Sequence, residues 1–365
     1  MAWIWENNKW PNYHYESDKV ASLEKEFLIA SGEWIGIISQ LSENDENLVR
    51  VKLLTDEAHK TSEIEAEYLD KDSLQSSIQR QFGIHTDLRK TTASEQGIAE
   101  LMIDVYKNSS TPLHHERLFQ WHKLVMNGRN DLIEIGKYRS REAAMQIISG
   151  AIHQPTVHYQ APSGLDVAKH MEGFMNWYRS EKHLPITIKA ALSHLRFEQI
   201  HPFEDGNGRI GRALAEYSIS QDIGKPMLLS LSSAIAANKK QYYDELQHSN
   251  RSLNVTRWIE YFTDLIINAQ QRSKKLLRFV LKKSDLLYRL ENQLNDRQKK
   301  VILRLFEAGI DGFKGGLSSR NYQAIAKTSS ATATRDLADL VTKKALYKTG
   351  EKKHSRYWLN IDETS

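Results

Sequence analysis

The sequence contains no cysteine in 365 residues, which excludes disulfide bonds, thiolate catalysis and cysteine zinc sites. Proline and glycine are scarce, at 7 and 18 residues, and this disfavours collagen-like and turn-rich β architectures and favours helices. No run approaches the length of about 18 apolar residues that a membrane-spanning helix needs. The stretch Met1 to Asn7 has neither the basic nor the apolar region of a signal peptide, so the expected compartment is the cytoplasm, with no membrane partner.

Positive charge is concentrated near the C-terminus. Residues 271–360 contain 21 Lys and Arg against 8 Asp and Glu, a balance of +13, while the whole chain carries only +4. The remainder is therefore mildly acidic, at −9. Such asymmetry is typical of nucleic-acid contact, but a solvated lysine-rich helix face explains the composition equally well.

The pattern of apolar residues predicts a mainly α protein with one β-hairpin and four segments. These are a helical extension over 1–95 that opens with three tryptophans, a core over 96–270, a basic helix over 271–292 and a winged-helix-like domain over 293–365. The hairpin is predicted from two short β-prone runs, 145–150 and 156–160, around a turn. A polar run over 71–90 closes the first segment. Helices are predicted over 20–41, 48–54, 97–106, 111–126, 164–178, 188–200, 212–222, 233–246, 255–270, 272–292, 297–308, 322–328 and 330–343, before an alternating run over 345–358.

The stretch from His201 to Arg212 reads His-Pro-Phe-Glu-Asp-Gly-Asn-Gly-Arg-Ile-Gly-Arg and predicts a phosphate site between two helices. Gly206, Asn207 and Gly208 can turn successive backbone N–H groups inward as an anion nest. The nest opens onto a helix N-terminus, whose partial positive charge favours phosphate. Arg209 and Arg212 lie three residues apart on one face, so both guanidinium groups can reach the same anion.

Two further side chains in this stretch have chemical uses. Asp205 is a hard oxygen ligand beside a phosphate, where proteins usually hold Mg²⁺. His201 is the one group here that takes a proton near neutral pH, so it is the candidate general base. Phe203 is expected to anchor the loop in the core.

This stretch matches the signature of the Fic family, His-Pro-Phe-x-Asp/Glu-Gly-Asn-Gly-Arg-x-x-Arg, at all nine specified positions. The predicted hairpin, preceded by Gly136-Lys137-Tyr138-Arg139 and closed by Tyr159-Gln160-Ala161-Pro162, resembles the flap of that family. The resemblance covers roughly residues 96–265. The extension and the winged helix resemble those of a bacterial subgroup more loosely.

The resemblance implies that AMP is transferred from ATP to a Ser, Thr or Tyr hydroxyl of a protein, including the chain itself. His201 would deprotonate the hydroxyl, and Asp205 would hold Mg²⁺ on the α- and β-phosphates. The ATP-binding residues would be Gly206, Asn207, Gly208, Arg209, Ile210, Gly211 and Arg212, with Arg212 on the γ-phosphate, and Tyr242, Tyr243 and Asn250 around the adenine.

The sequence from Thr61 to Glu67 resembles the inhibitory motif of the family, Ser/Thr-x-x-x-Glu-Gly/Asn. The register makes Glu65 the inhibitory glutamate, whose carboxylate would pair with Arg212 and displace the γ-phosphate. Ala66 departs from the pattern, because Gly or Asn is usual there and a side chain can alter the helix end. The alternative interpretation is a solvated acidic helix.

Two other functions remain open. The same residues can serve the reverse reaction, in which AMP is removed from a protein, or the transfer of another phosphate-containing group. Alternatively, the basic winged helix can make the chain a DNA-binding transcriptional regulator. The target protein is not identified by the sequence, and a homodimer is left open.

Overall fold

The computed structural model describes residues 2–84, 89–151, 154–309, 312–313 and 315–361. Parts of the predicted 71–90 run and of the hairpin turn, residues 85–88 and 152–153, lie outside the described residues. The described chain is mainly helical and divides into two compact units. Unit 1 comprises residues 2–41 and 50–273, and unit 2 comprises residues 42–49 and 274–361. No helix among the described residues has the length and apolarity to cross a membrane.

Eleven helices precede residue 290 in the described chain, and two of them, α2 and α11, contribute to both units. The predicted mainly α class is therefore correct. The helices are α1 (Asp18–Ile38), α2 (Glu43–Ile64), α3 (Lys71–Gln81), α4 (Ala93–Asn108), α5 (His115–Val125), α6 (Gly164–Ser180), α7 (Ile186–Ile200), α8 (Asn207–Ile223), α9 (Leu231–Ala237), α10 (Lys239–Ser249) and α11 (Thr256–Arg289).

Four helix predictions were wrong in extent. The helix expected over 48–54 is only the middle of α2, which extends over Glu43–Ile64. The helix expected from residue 111 begins only at His115, because the carbonyl of Thr111 is taken by the side chains of Tyr217 and Gln221. The helix expected over 233–246 is two helices, broken at Asn238, whose side chain caps α10. The two helices expected over 255–292 are one continuous helix of 34 residues.

Helices α7 and α8 form the centre of unit 1, and nearly all their residues are buried. Helices α4, α5 and α9 pack on α8, while α1 and α6 pack on α7. The start of α7 is fixed from α1, because the Glu24 carboxylate accepts the N–H groups of Ile186 and Thr187 at 2.8 and 3.1 Å. A carboxylate at this end satisfies donors that have no partner within the helix.

The aromatic N-terminal segment also packs on unit 1. Trp10 and Tyr13 both donate to the side-chain carbonyl of Gln199 near the end of α7, at 2.9 and 2.6 Å. Trp5 donates to the backbone carbonyl of Gln160 at 2.7 Å. These rings therefore brace the end of α7 and the end of the hairpin.

The hairpin pairs β1 (Gln146–Ala151) with β2 (Gln154–Gln160) in antiparallel register. The register shifts between Ile147 and Ile148, and both of these side chains are exposed. The predicted hairpin is thus present.

After α11, the described part of unit 2 contains three α-helices followed by two short strands, and its assignment as a winged helix stays a prediction. Its core gathers apolar residues from the end of α11 and from α12 (Asp296–Glu307), α13 (Ser319–Ala326) and α14 (Ser330–Thr342). Strands β3 (Leu346–Thr349) and β4 (Arg356–Leu359) form an antiparallel pair at the position of the predicted wing, and Leu317 bridges to Tyr357. Asp336, nearly buried on α14, receives hydrogen bonds from Arg297 and Tyr322 and so ties the three helices together.

Candidate active site

The loop between α7 and α8 has a fixed conformation. His201 ends α7 with a φ of +51°, in the left-handed region that is uncommon for residues other than glycine. Phe203 is fully buried, as expected, and stacks on the His122 ring at 4.1 Å between centroids. The Asn207 side chain accepts the N–H of Phe203 at 2.9 Å and donates to its carbonyl at 2.8 Å. Asn207 therefore shapes the loop with its side chain, and its backbone N–H is left for an anion.

His201 is neutral and has one ring nitrogen available. Its Nδ1 lies 3.3 Å from the backbone carbonyl of Glu198, and a carbonyl only accepts, so Nδ1 bears the proton. The lone pair is then on Nε2. Burial, aided by the positive charge of Arg139, lowers the pKa of His201 to about 4. A ring that is unprotonated at neutral pH can accept the proton of a hydroxyl group.

A predicted anion nest lies at the start of α8. Gly206 precedes the helix with a φ of +78°, which a side chain would strain, and a Cβ there would lie 2.8 Å from the Met126 side chain. The first N–H groups of a helix have no acceptor within it and point outward from its end. Gly208 adds no side chain above these groups, so an anion can approach the backbone closely once the Glu65 carboxylate, which lies there, moves away.

Both arginines of the loop present unpartnered donors. The Arg212 side chain is 1% exposed, and its NH1 has no partner and lies 3.1 Å from the position of a Cβ on Gly208. The Arg209 side chain is 7% exposed, and its Nε also lacks a partner. Buried donors without acceptors are costly, so these atoms indicate an anionic ligand at the nest.

The end of α2 covers this nest. The Glu65 carboxylate is 2.8 Å from NH2 of Arg212 and occupies the space above Gly208. Thr61 accepts two more hydrogen bonds from Arg212, through its hydroxyl and its carbonyl, each at 2.9 Å. Burial disfavours the charge of Arg212, but the Glu65 carboxylate together with the neighbouring Tyr242 and Tyr243 outweighs burial and raises the pKa of the guanidinium above its usual value. Glu65, Thr61 and Arg212 thus meet as the predicted motif requires.

A second glutamate reaches the same loop and was not expected from the sequence. The Glu67 carboxylate lies 2.5 Å from NH1 of Arg209. Glutamates alternate at positions 63, 65 and 67, but Glu63 pairs with Lys60 and His59 of its own helix. The spacing alone therefore does not predict which of these glutamates contacts the loop.

Asp205 is half exposed and accepts hydrogen bonds from NH1 of Arg129 at 2.8 Å and from the Gly206 N–H at 2.5 Å. Among the described residues, no group of three or more His, Cys, Asp or Glu could hold a metal ion. Mg²⁺ commonly uses one or two carboxylates and takes its other ligands from substrate phosphates and water. A single accessible carboxylate beside an anion nest fits a Mg²⁺ that binds together with a nucleotide.

The three residues predicted around adenine differ in how exposed their side chains are to solvent. Tyr242 is fully buried and shares a hydrogen bond of 2.8 Å with His194, so its ring belongs to the core. Tyr243 has 39% of its surface exposed and lies 5.1 Å from the Tyr242 ring centre. Asn250 ends α10 and is buried. Tyr243 is therefore the ring that a planar ligand can reach.

Ile210 and Gly211 face the core of unit 1. The side chain of Ile210 is fully buried. A Cβ on Gly211 would lie 2.4 Å from Oε1 of Glu198, so the glycine lets α8 approach α7. Burial raises the pKa of Glu198 to about 8, which leaves this carboxyl mostly protonated behind His201 at neutral pH.

Arg139 was missed as a positioning residue. It is buried, and its guanidinium donates to the carbonyls of His201 and Pro162, each at 2.7 Å. It thereby links the catalytic loop to the end of the hairpin. No local signal predicts this contact, because Arg139 precedes His201 by 62 residues.

The loop geometry and the family comparison agree. A model described as the Fic/DOC family matches residues 112–219, which include α7, the loop and the start of α8. The chain carries a Fic domain. Residues 3–84, upstream of the Fic domain, match a model described as a domain of unknown function, DUF4172. Glu65 and Glu67 therefore come from the DUF4172 region, whereas Arg209 and Arg212 come from the Fic domain.

Solved structures share the fold. A Fic family protein from Desulfovibrio desulfuricans G20 aligns with a TM-score of 0.58 at 20% identity, covering 97% of this chain and 99% of that chain. A Fic domain containing signaling protein from Bacteroides thetaiotaomicron VPI-5482 gives 0.50 at 18% identity, covering 72% and 97%.

Curated relatives are similar over shorter stretches. A probable protein adenylyltransferase of Aquifex aeolicus is 40% identical over 68 residues, which is 19% of either chain. The protein adenylyltransferase Fic of Nematostella vectensis is 30% identical over 136 residues, or 36% of this chain and 28% of that one. The chain thus spans about a fifth and about a quarter of the lengths of these relatives.

Proposed function

We propose that this chain is an ATP-dependent protein adenylyltransferase. The hydroxyl oxygen of a protein Ser, Thr or Tyr attacks the α-phosphorus of ATP, the bond from that phosphorus to the bridging oxygen of the β-phosphate breaks, and pyrophosphate leaves. Nε2 of His201 accepts the hydroxyl proton. The curated relatives that bear the name protein adenylyltransferase support this assignment at the level of the domain.

The arrangement at the start of α8 is the observation that carries the proposal. An anion nest covered only by the Glu65 carboxylate, two nearly buried arginines with unpartnered donors and a neutral histidine converge within twelve residues. Transfer of a nucleotidyl group depends mostly on positioning and on stabilising charge, which such an arrangement can supply. Mg²⁺ on Asp205 would neutralise part of the phosphate charge when bound with the nucleotide.

The resting enzyme is restrained by Glu65. Its carboxylate forms an ion pair with the guanidinium of Arg212, which is our proposed partner of the γ-phosphate of ATP. Removing the carboxylate therefore raises AMP transfer, including transfer to the chain itself.

The position of the label in ATP tests this function. The Glu65→Gly variant is incubated with ATP labelled either at the α-phosphate or at the γ-phosphate, in the presence of Mg²⁺. Retention of the α-label alone supports AMP transfer, whereas retention of the γ-label indicates phosphoryl transfer. Loss of label from a previously AMP-modified protein, with no forward incorporation, would assign the reverse reaction instead.

Unit 2 supports a second candidate function, DNA binding. Apart from Arg335, the exposed side chains of α14 are Ser, Thr and Ala, which can contact base edges in the major groove. The wing adds Lys348, Lys352 and Arg356 to this basic unit. The other exposed residues of α14 are Ser330, Ala331, Thr334, Ala338 and Thr342.

Duplex binding by the full chain tests this second function. Arg335→Ala and Lys348→Ala should each weaken binding and lower the salt slope by about 1, because each removes one phosphate or base contact. Lys240→Ala is the control, since Lys240 is exposed in unit 1 and pairs with Asp244. Equal retention by all variants would assign the winged helix to protein contacts. Lys343 is a weaker candidate than Arg335 and Lys344, because its Nζ already donates to the Gln293 carbonyl at 2.6 Å.

A further inference from the structure

Two carboxylates, rather than one, extend from the end of α2 to the arginines at the start of α8. Glu65 contacts Arg212, and Glu67 contacts Arg209. We propose that Glu67 is a second latch, that is, a carboxylate that pairs with a nucleotide-binding arginine in the absence of nucleotide. Glu67 pairs with Arg209, the proposed partner of an inner phosphate, while Glu65 pairs with Arg212, the proposed partner of the γ-phosphate. This inference rests on the proposed function and adds a separate control of nucleotide binding to it.

The Glu67 contact has the features of a specific ion pair. Its N···O distance is 2.5 Å, the Arg209 side chain is 7% exposed and that of Glu67 is 30% exposed. A guanidinium this far from water interacts more strongly with a carboxylate than a surface pair does. The remaining Nε of Arg209 has no partner, so Glu67 satisfies only part of what an anion on this arginine would satisfy.

The backbone after α2 explains how both glutamates reach α8. Ala66 adopts the left-handed conformation with a φ of +60°, and the Glu67 N–H returns to the Ser62 carbonyl at 3.0 Å. This is the usual way to close a helix C-terminus. Lys239 at the start of α10 donates to the Ile64 carbonyl and holds the same turn in place. The turn therefore fixes Glu65 and Glu67 together.

The two latches cover different sides of the nest. NH2 of Arg209 lies 3.8 Å from Oδ1 of Asp205, the proposed metal ligand. NH1 of Arg212 lies instead beside Gly208 and the Glu65 carboxylate. A phosphate on Arg209 is thus one near the metal, which ATP and ADP both possess, whereas the phosphate on Arg212 is the γ-phosphate of ATP alone.

Nucleotide binding without turnover measures the two latches separately. ATP and ADP are titrated by calorimetry, with Mg²⁺, into the full chain carrying His201→Ala, which removes the base and leaves the nest intact. Adding Glu67→Gln should raise the affinity for both nucleotides by about tenfold. Adding Glu65→Gln should raise the affinity for ATP by a similar factor and that for ADP much less.

Glu63→Gln is the matched control, because it makes the same charge change four residues before Glu67, in the last turn of α2. Glu63 pairs with Lys60 and His59 and not with the loop, so its removal should leave both affinities unchanged. If Glu63→Gln and Glu67→Gln raised the nucleotide affinity equally, the effect would be general electrostatic repulsion between the glutamates and the nucleotide. The second latch would then be wrong.

Two further results separate this inference from the proposed function. If Glu65→Gln tightens ATP binding while Glu67→Gln changes neither affinity, the second latch is wrong and the proposed function stands. If no variant binds either nucleotide, the proposed function fails and the second latch fails with it.

Discussion

Ala66 occupies the strained position between the two inhibitory glutamates, and its replacement by glycine should tighten the inhibited state. Its φ of +60° costs an alanine about 1–2 kcal/mol, whereas glycine adopts this conformation freely. Glycine also gains more conformational entropy than alanine when the turn opens, and this offsets about 0.5–1 kcal/mol of the stabilisation. The net stabilisation of about 0.5–1 kcal/mol should lower the open fraction by about twofold to fivefold.

The rate of self-modification with Mg-ATP reports this open fraction. Ala66→Gly should be slower than the wild type by that factor, and Ala66→Asn should also be slower, because asparagine tolerates the left-handed region. Ala21→Gly is the control, since Ala21 is exposed in the regular helix α1. Glycine there should lower stability by about 0.5–1 kcal/mol and leave transfer unchanged.

A folded Ala66→Gly variant that is as active as the wild type, or more active, would refute this reasoning. The strained turn would then have no part in setting basal activity.

The remaining predictions concern the proposed base and metal. His201→Ala should lower transfer by about 10²–10⁴-fold while ATP binding persists, because the base acts in the transition state; unchanged turnover would remove His201 from the mechanism. Since the pKa of His201 is about 4, its ionisation should not lower the rate between pH 6 and 8, and a rate that fell with a midpoint near 6.5 would contradict the burial argument. Burial also lowers the pKa values of His122 and His194, to about 4 and about 3, below the unfolded value near 6.5; stability should therefore be full above that value and fall as the pH drops toward 4, as thermal unfolding will show. Asp205→Ala and EDTA should each abolish transfer, and full activity in EDTA would exclude Asp205 as a metal ligand.

The position of the loop between α7 and α8 was predictable because its residues are close together in the sequence, and its binding of phosphate stays a proposal. His201, Asp205, Gly206 and the two arginines lie within twelve residues, so the chain itself places them at one helix end. The anchoring of Phe203 followed from the same logic, since an aromatic residue beside a helix end is easily buried.

Contacts between distant segments were not predictable in this way. The Glu67–Arg209 pair joins residues 142 positions apart, and the carbonyls that Arg139 holds belong to residues far along the chain. Nothing local in the sequence indicates that Tyr242 is buried and shares a hydrogen bond with His194, and its role beside the adenine stays a prediction that the resemblance implies. Helix ends at Thr111 and Asn238 were misjudged for the same reason, since side chains decide them.

Helix continuity was a different kind of error. The stretch from Thr256 to Arg289 changes from mixed to strongly basic composition, and this change predicted a boundary near residue 271. Composition describes the surface that a helix presents, whereas hydrogen bonding along the backbone contains no break there. The four-segment division of the chain remains a prediction.

Intact mass spectrometry after incubation with Mg-ATP tests the central claim most directly. Three proteins are compared: the wild type, Glu65→Gly, and Glu65→Gly combined with Arg212→Ala. The account predicts a mass gain of one or more AMP groups that is small in the wild type, large in Glu65→Gly and absent in the double variant, because activation depends on the freed arginine. Equal mass gain in the wild type and Glu65→Gly, or undiminished gain in the double variant, would contradict it.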